Sequence, residues 1–245
     1  MLELSNKTII VTGAGAGIGK AITLKCLEYG AKVIACDING ESLKSLENGI
    51  HSEKLQSYIV DVSDYLQVEI LLKKLFSEQS DINCLVNNAG IYLGKNIVEY
   101  TSDMIDKVIN IDIKGAVFFS KFFGEFKLDQ KENGIIVNIS SVAGLEGSSD
   151  AIYGLSKSAL IGLTKSCALS FSPFVRVNAV APTLVDTDLI DNVPKWRADE
   201  YREKELIKKS VKPDDVANTV IFLLSELSTH YTGAIFDINN GCYLR

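Results

Sequence analysis

The sequence predicts an α/β fold: a doubly wound, seven-stranded parallel sheet with helices on both faces. Two observations predict it. Short apolar runs such as Thr8-Ile9-Ile10-Val11 alternate with longer amphipathic segments along the 245 residues. Those runs are continuously apolar, as in strands buried on both faces. Strands alternating with helices imply right-handed crossovers, and hence parallel pairing. Hydrophobic residues make up 47% of the chain, enough for a large core, and the length fits one domain at the upper end of the usual range.

The elements follow in order. Residues 8–11 read as a strand and 18–29 as a helix, with Gly30 as its stop signal. Residues 32–36 and 57–60 are the next strands, and 65–76 a helix. Residues 84–86 form a fourth strand, followed by one long helix over 102–126 and a fifth strand over 135–139. A helix carrying Tyr153 runs to about residue 171. Residues 175–180, 214–225 and 235–238 complete the pattern as strand, helix and strand. The stretch 183–212 breaks the rhythm: it is long and charged, and contains Pro194, Trp196 and Tyr201. It reads as a loop-rich insertion at the ligand-binding edge of the sheet. With little apolar surface to bury, it is expected to act as a lid that orders with ligand.

Composition excludes several roles. A formal charge of −6 without a long basic run argues against nucleic acid or an anionic membrane as partner. No apolar run reaches the ~18 residues of a membrane span, and Met1-Leu2-Glu3-Leu4 is not a leader. Five scattered cysteines read as free thiols of a reducing cytosol, which makes the chain cytoplasmic. The two histidines, His51 and His230, are isolated, so neither a metal site nor a Ser-His-Asp triad is expected.

The first strand–helix junction reads Thr12-Gly13-Ala14-Gly15-Ala16-Gly17-Ile18-Gly19. Glycine serves where the backbone needs positive φ or a close approach, and a helix N-terminus favours a pyrophosphate. The G-x-G-x-x-G spacing fails at Ile18, and the ATP-binding G-x-x-x-x-G-K-[ST] pattern fails at Ala14 and Ala21. At the end of the second strand, Asp37 is placed to accept hydrogen bonds from an adenosine ribose and to repel a 2′-phosphate. This favours NAD over NADP. Asp37 can also be read as a helix N-cap, and Asn88 as a turn-stabilising residue.

Downstream stand Asn87-Asn88-Ala89-Gly90, the pair Ser140-Ser141, and Tyr153 with Lys157 four residues later, on one helix face. A free tyrosine titrates near 10, and a nearby ammonium lowers that value, which makes the phenol a usable acid or base. Together with T-G-x-x-x-G-x-G at residues 12–19, this set resembles the short-chain dehydrogenase/reductase family over almost the whole chain. The resemblance implies a Rossmann-like fold and hydride transfer between nicotinamide and a secondary alcohol or ketone. It implies that Gly13, Gly17, Ile18, Gly19, Asp61, Val62, Asn88, Val185 and Thr187 bind the cofactor along with Asp37. It gives Tyr153 the proton, Lys157 the phenol and the nicotinamide ribose, and a serine the substrate oxygen. Val142-Ala143-Gly144 after Ser141 points to that serine, whereas its spacing of 12 residues from Tyr153 leaves Ser140 open.

Two positions depart from the family pattern. Asp112 stands where the family carries an Asn, and is expected to keep the backbone carbonyl of the proton relay and to pair with Lys157. Thr183 follows Pro182 where many relatives have Gly. Ile91, Tyr92, Leu93, Val142, Leu145 and Leu184 are candidates for a partly apolar pocket wall around a small-molecule substrate. The apolar wealth of the helices at 102–126 and 153–171 implies, with the family's habit, a homotetramer, or second a dimer. The alternatives are a 3-oxoacyl-thioester reductase using NADPH and a catalytically inactive cofactor-binding sensor.

Overall fold

The computed structural model describes residues 3–79, 81–187, 190 and 193–245. Among them, seven strands form one parallel sheet in the order β3-β2-β1-β4-β5-β6-β7. The strands are β1 (Thr8–Thr12), β2 (Lys32–Asp37), β3 (Leu55–Ile59), β4 (Ile82–Asn87), β5 (Gly134–Ile139), β6 (Val175–Pro182) and β7 (Ile235–Ile238). Strand order reverses between β1 and β4, which opens a crevice at their C-terminal ends.

Successive strand residues point to opposite faces, so each strand feeds two cores. Ile9 and Val11 of β1 join the first core, with α1 (Gly17–Glu28), α2 (Gly40–Ile50) and α9 (Pro213–Leu224). Ile10 joins the second, with α3 (Tyr65–Glu78), α5 (Gly115–Gln130) and α7 (Ala151–Ser170). Burial on both faces explains the continuous apolar runs.

Local chemistry sets the helix ends. Asp64 caps α3 by accepting from the N–H groups of Leu66 and Gln67. Pro213 opens α9 at the position where its missing N–H costs nothing. Gly30, at φ +90°, ends α1.

Four helical features differ from the sequence expectation. The helix α2 was not foreseen, because only Leu43 and Leu46 on it are buried. The short α6 (Ala143–Glu146) was missed as well. The long helix over 102–126 is instead α4 (Ser102–Val108), a π-helical stretch (Ile109–Lys114) and α5, ending at Gln130. A wider turn of this kind often marks a functional site, and it leaves Asp112 fully buried. Finally, the stretch expected to be loop-rich contains α8 (Lys195–Lys204), with Arg197–Glu200 and Lys204–Glu200 ion pairs one turn apart. The lid expectation also covers residues 188, 189, 191 and 192, which lie outside the described residues.

The apolar surplus on α5 and α7 is smaller than the sequence implied. Phe119, Phe122, Phe123 and Leu160 are buried within the protomer, whereas Val117, Leu155 and Leu169 are exposed. Among the described residues, no helix is long and apolar enough to cross a membrane, and no group of three His, Cys, Asp or Glu gathers to hold a metal.

Candidate active site

A cavity of about 440 Å³ runs along the C-terminal edge of the sheet, from the end of β2 across the crevice to α8. Gly13, Gly17 and Ile18 line it at the glycine turn. Gly13 and Gly17 have φ +64° and +51°, a conformation that side chains disfavour. The N-cap of α1 is Ala16, with no side-chain hydrogen bond, so the first N–H groups of that helix meet no cap. This end of the cavity therefore fits a phosphate-bearing group. Gly19 does not line the cavity: a Cβ there would lie 2.0 Å from the Gly13 carbonyl oxygen, so it serves helix–strand packing.

Asp37 lines the same end. Its carboxylate accepts from the N–H groups of Gly15 at 2.8 Å and Asn39 at 2.9 Å. The N-cap of α2 is Asn39, so the capping reading of Asp37 fails. Each carboxylate oxygen keeps a lone pair for a ribose hydroxyl. Asp61 and Val62 line the cavity below it, with Asp61 bonded to the hydroxyl of Ser63. Asn88 does both things read from the sequence: it lines the cavity, and its side-chain amide donates to the carbonyls of Thr12 and Gly13. Val185 and Thr187 close the far side, and the Thr187 methyl approaches Gly17.

Tyr153, Lys157, Ser140 and Ser141 line the central part. The two serines divide their work. The Ser140 hydroxyl donates to the Lys157 carbonyl at 2.8 Å, tying β5 to the helix α7. Ser141 makes only a long 3.5 Å contact to the Pro182 carbonyl and accepts from Ala143. It lines the cavity together with Tyr153 and lowers that phenol. The Ser141 hydroxyl is thus the less engaged of the two. The Lys157 ammonium donates to the Ile139 carbonyl at 3.3 Å, and Gly90 makes room for it, since a Cβ there would lie 3.1 Å away.

Asp112 departs from expectation. It is fully buried and does not line the cavity, and the Lys157 ammonium donates to the Ile139 carbonyl rather than to it. Its two oxygens accept from the Ile91 N–H at 2.8 Å and the Ser156 hydroxyl at 2.9 Å. Burial holds its carboxyl above the usual range, with the Lys157 charge opposing. Burial also pushes the Tyr153 phenol up, the Asp112 charge adds to this, and Ser141 works the other way. Lys157 is pulled down by burial. Burial therefore dominates the Tyr153 phenol here, and the Lys157 ammonium is not among the groups that shift it.

Of the residues read from the sequence as a pocket wall, Ile91, Tyr92, Val142 and Leu184 line the cavity, whereas Leu93 and Leu145 do not. Sequence reasoning missed Asp150, which is 1% exposed. It caps α7 by accepting from the N–H of Tyr153 itself, at 3.0 Å. The same carboxylate accepts from Gly94 at 3.0 Å, Lys95 at 3.3 Å and the Tyr100 hydroxyl at 2.7 Å. An Asp three residues before Tyr153 is a helix-start signal that was there to be read. Also missed were Ser148 and Arg197, both of which line the cavity. Thr183 bonds to buried Glu205 at 3.3 Å, anchoring the C-terminal side of the insertion.

A family model described as enoyl-(acyl carrier protein) reductase matches residues 13–243. A 3-oxoacyl-[acyl-carrier-protein] reductase of Thermotoga maritima is 34% identical over 98% of this chain and 99% of its own length. A meso-2,3-butanediol dehydrogenase of Serratia marcescens is 31% identical over 98% and 96%. A crystal structure from Brucella melitensis, described as a short-chain dehydrogenase/reductase of the glucose/ribitol dehydrogenase type, superposes with a TM-score of 0.92 at 28% identity, covering 99% of each chain.

Proposed function

This chain belongs to the short-chain dehydrogenase/reductase family, whose members are NAD(P)-dependent oxidoreductases acting on alcohol and ketone groups, and within it we propose an NAD-preferring dehydrogenase of secondary alcohols. One observation carries the reading: Ser141, Tyr153 and Lys157 meet in the same cavity as Asp37 and the uncapped end of α1. Gly13, Gly17 and Ile18 would hold the pyrophosphate, Asp37 the adenosine ribose, and Asp61 with Val62 the adenine. Asn88, Val185, Thr187 and Lys157 would hold the nicotinamide end. A nicotinamide dinucleotide bound there would exchange hydride with the substrate carbon.

The chain's own residues manage the proton. In reduction, Ser141 holds the carbonyl oxygen and Tyr153 donates its phenolic proton as that oxygen gains charge. A phenol kept protonated by burial is a donor over the whole neutral range, and the Ser141 hydrogen bond eases the phenolate that remains. Lys157 gives this phenolate a cationic neighbour, its Nζ lying 5.5 Å from the ring centroid. Asp112 acts from behind, through Ser156 and Ile91.

A 3-oxoacyl-thioester reductase using NADPH is the second reading, favoured by the name of the Thermotoga relative and opposed by Asp37. An inactive sensor is opposed by the complete Ser141, Tyr153 and Lys157 set. Titration of both cofactors decides the preference: NAD is expected to bind at least about tenfold more tightly than NADP, or about 1.4 kcal/mol. Asp37→Ala should narrow that gap, although it also loosens the Gly15 turn. Equal or tighter NADP binding by the wild type contradicts the preference.

The chain is read as one cytoplasmic domain with a lid over 183–212, assembled as a homotetramer or, second, a dimer. Exposed Val117, Leu155 and Leu169 on α5 and α7 support assembly. Light scattering at micromolar concentration tests it, and a monomer contradicts it.

A further inference from the structure

Tyr92 is 9% exposed and lines the cavity. Its ring stands edge-on to Tyr153, with centroids 4.9 Å apart. Its hydroxyl has no hydrogen-bond partner among the described residues and stays accessible from the cavity. The backbone around it is fixed by two buried carboxylates. Asp112 accepts from Ile91 on one side, and Asp150 from Gly94 and Lys95 on the other. The ring is therefore held in place before any ligand arrives, which lowers the cost of recognition.

The surroundings define what the hydroxyl is for. Burial raises the Tyr92 phenol and keeps it protonated, so it is a donor. Arg197 lines the same cavity, and its guanidinium has donors only. Two of its nitrogens are bonded, to Glu200 at 2.7 Å and to the Tyr201 hydroxyl at 3.0 Å, and its buried Nε has no partner. Ser141 and Tyr153 already serve the reacting oxygen. Tyr92 and Arg197 thus add donors to the cavity beyond those of the proton relay.

We propose that Tyr92 is a specificity-determining residue, and that the substrate carries a second oxygen acceptor near the reacting carbon, to which the Tyr92 hydroxyl donates. The substrate class is a small oxygenated ketone or its alcohol rather than a plain hydrocarbon ketone. This rests on the dehydrogenase reading given above.

Tyr92→Phe keeps the edge-on packing against Tyr153 and removes only the hydroxyl. Steady-state reduction of acetoin and of 2-butanone is compared for the wild type and the variant, with NADH affinity measured alongside. The expected result is a fall in kcat/KM for acetoin of about tenfold or more, a change of less than about twofold for 2-butanone, and unchanged NADH binding. A parallel fall on both ketones, or no fall on either, overturns the role of Tyr92. Wild-type turnover of 2-butanone upholds the dehydrogenase reading whichever way Tyr92 behaves. Failure of the wild type to reduce either ketone with NADH or NADPH removes that reading and this inference with it.

Discussion

The two halves of the cavity are built on different principles. The half proposed to hold the cofactor is made mostly of backbone: positive-φ glycines, an uncapped helix end, and Asn88 stapling the turn through two carbonyls. The half proposed to hold the substrate is made of side chains held by buried carboxylates, Asp112 and Asp150, which reach across loops distant in sequence. A backbone-built site depends on a few residues adjacent in sequence. A site built by long-range polar bonds depends on partners that only the fold brings together. Changes in the second half should therefore alter turnover and specificity while cofactor affinity stays put.

The strongest break of this kind is Asp150→Ala. It removes the cap of α7 and leaves the N–H groups of Gly94 and Lys95 without their acceptor. Stability is expected to fall by about 1–3 kcal/mol. In the protein that remains folded, kcat/KM should drop by about tenfold or more, because Tyr92 and Tyr153 lose their common anchor. Cofactor affinity measured by fluorescence titration should change less than about twofold. An equal loss of cofactor affinity would erase the distinction between the halves.

A gentler change sharpens it. The Asp112 carboxyl is raised by burial above its unfolded value near 3.9. A raised group contributes stability that is full below the unfolded value and lost as pH rises through the folded one. Asp112→Asn should therefore gain thermal stability relative to the wild type at pH 7, and no longer at pH 4. The Asp112 charge also raises the Tyr153 phenol. Its removal should move the alkaline limb of the alcohol-oxidation profile to lower pH, with maximal turnover within about tenfold of wild type. An unmoved limb would mean that Asp112 acts on the loop alone.

The same contrast governs what was legible in the sequence. The seven strands, the glycine turn and the Tyr153–Lys157 pair were readable because each rests on short-range spacing or on a continuous apolar run. The helix α2 escaped because only Leu43 and Leu46 bury on it, and α8 because charged residues dominate it. The π-helical stretch at Ile109–Lys114 has the same apolar pattern as an ordinary helix. That Ser140 is engaged by the Lys157 carbonyl, leaving Ser141 freer, could not be seen from spacing alone. The role of Asp150 needed Gly94, Lys95 and Tyr100, more than 49 residues away in sequence. Thr183 read only as a departure until its partner Glu205 was in view.

Tyr153→Phe tests the central claim most directly, with turnover and cofactor binding measured on one preparation. The ring and its packing against Tyr92 remain, and only the proton donor is lost. Turnover should fall by about 10²–10⁴-fold, the range of general acid–base catalysis, while NADH affinity changes less than about twofold. Turnover near the wild-type value would contradict the account.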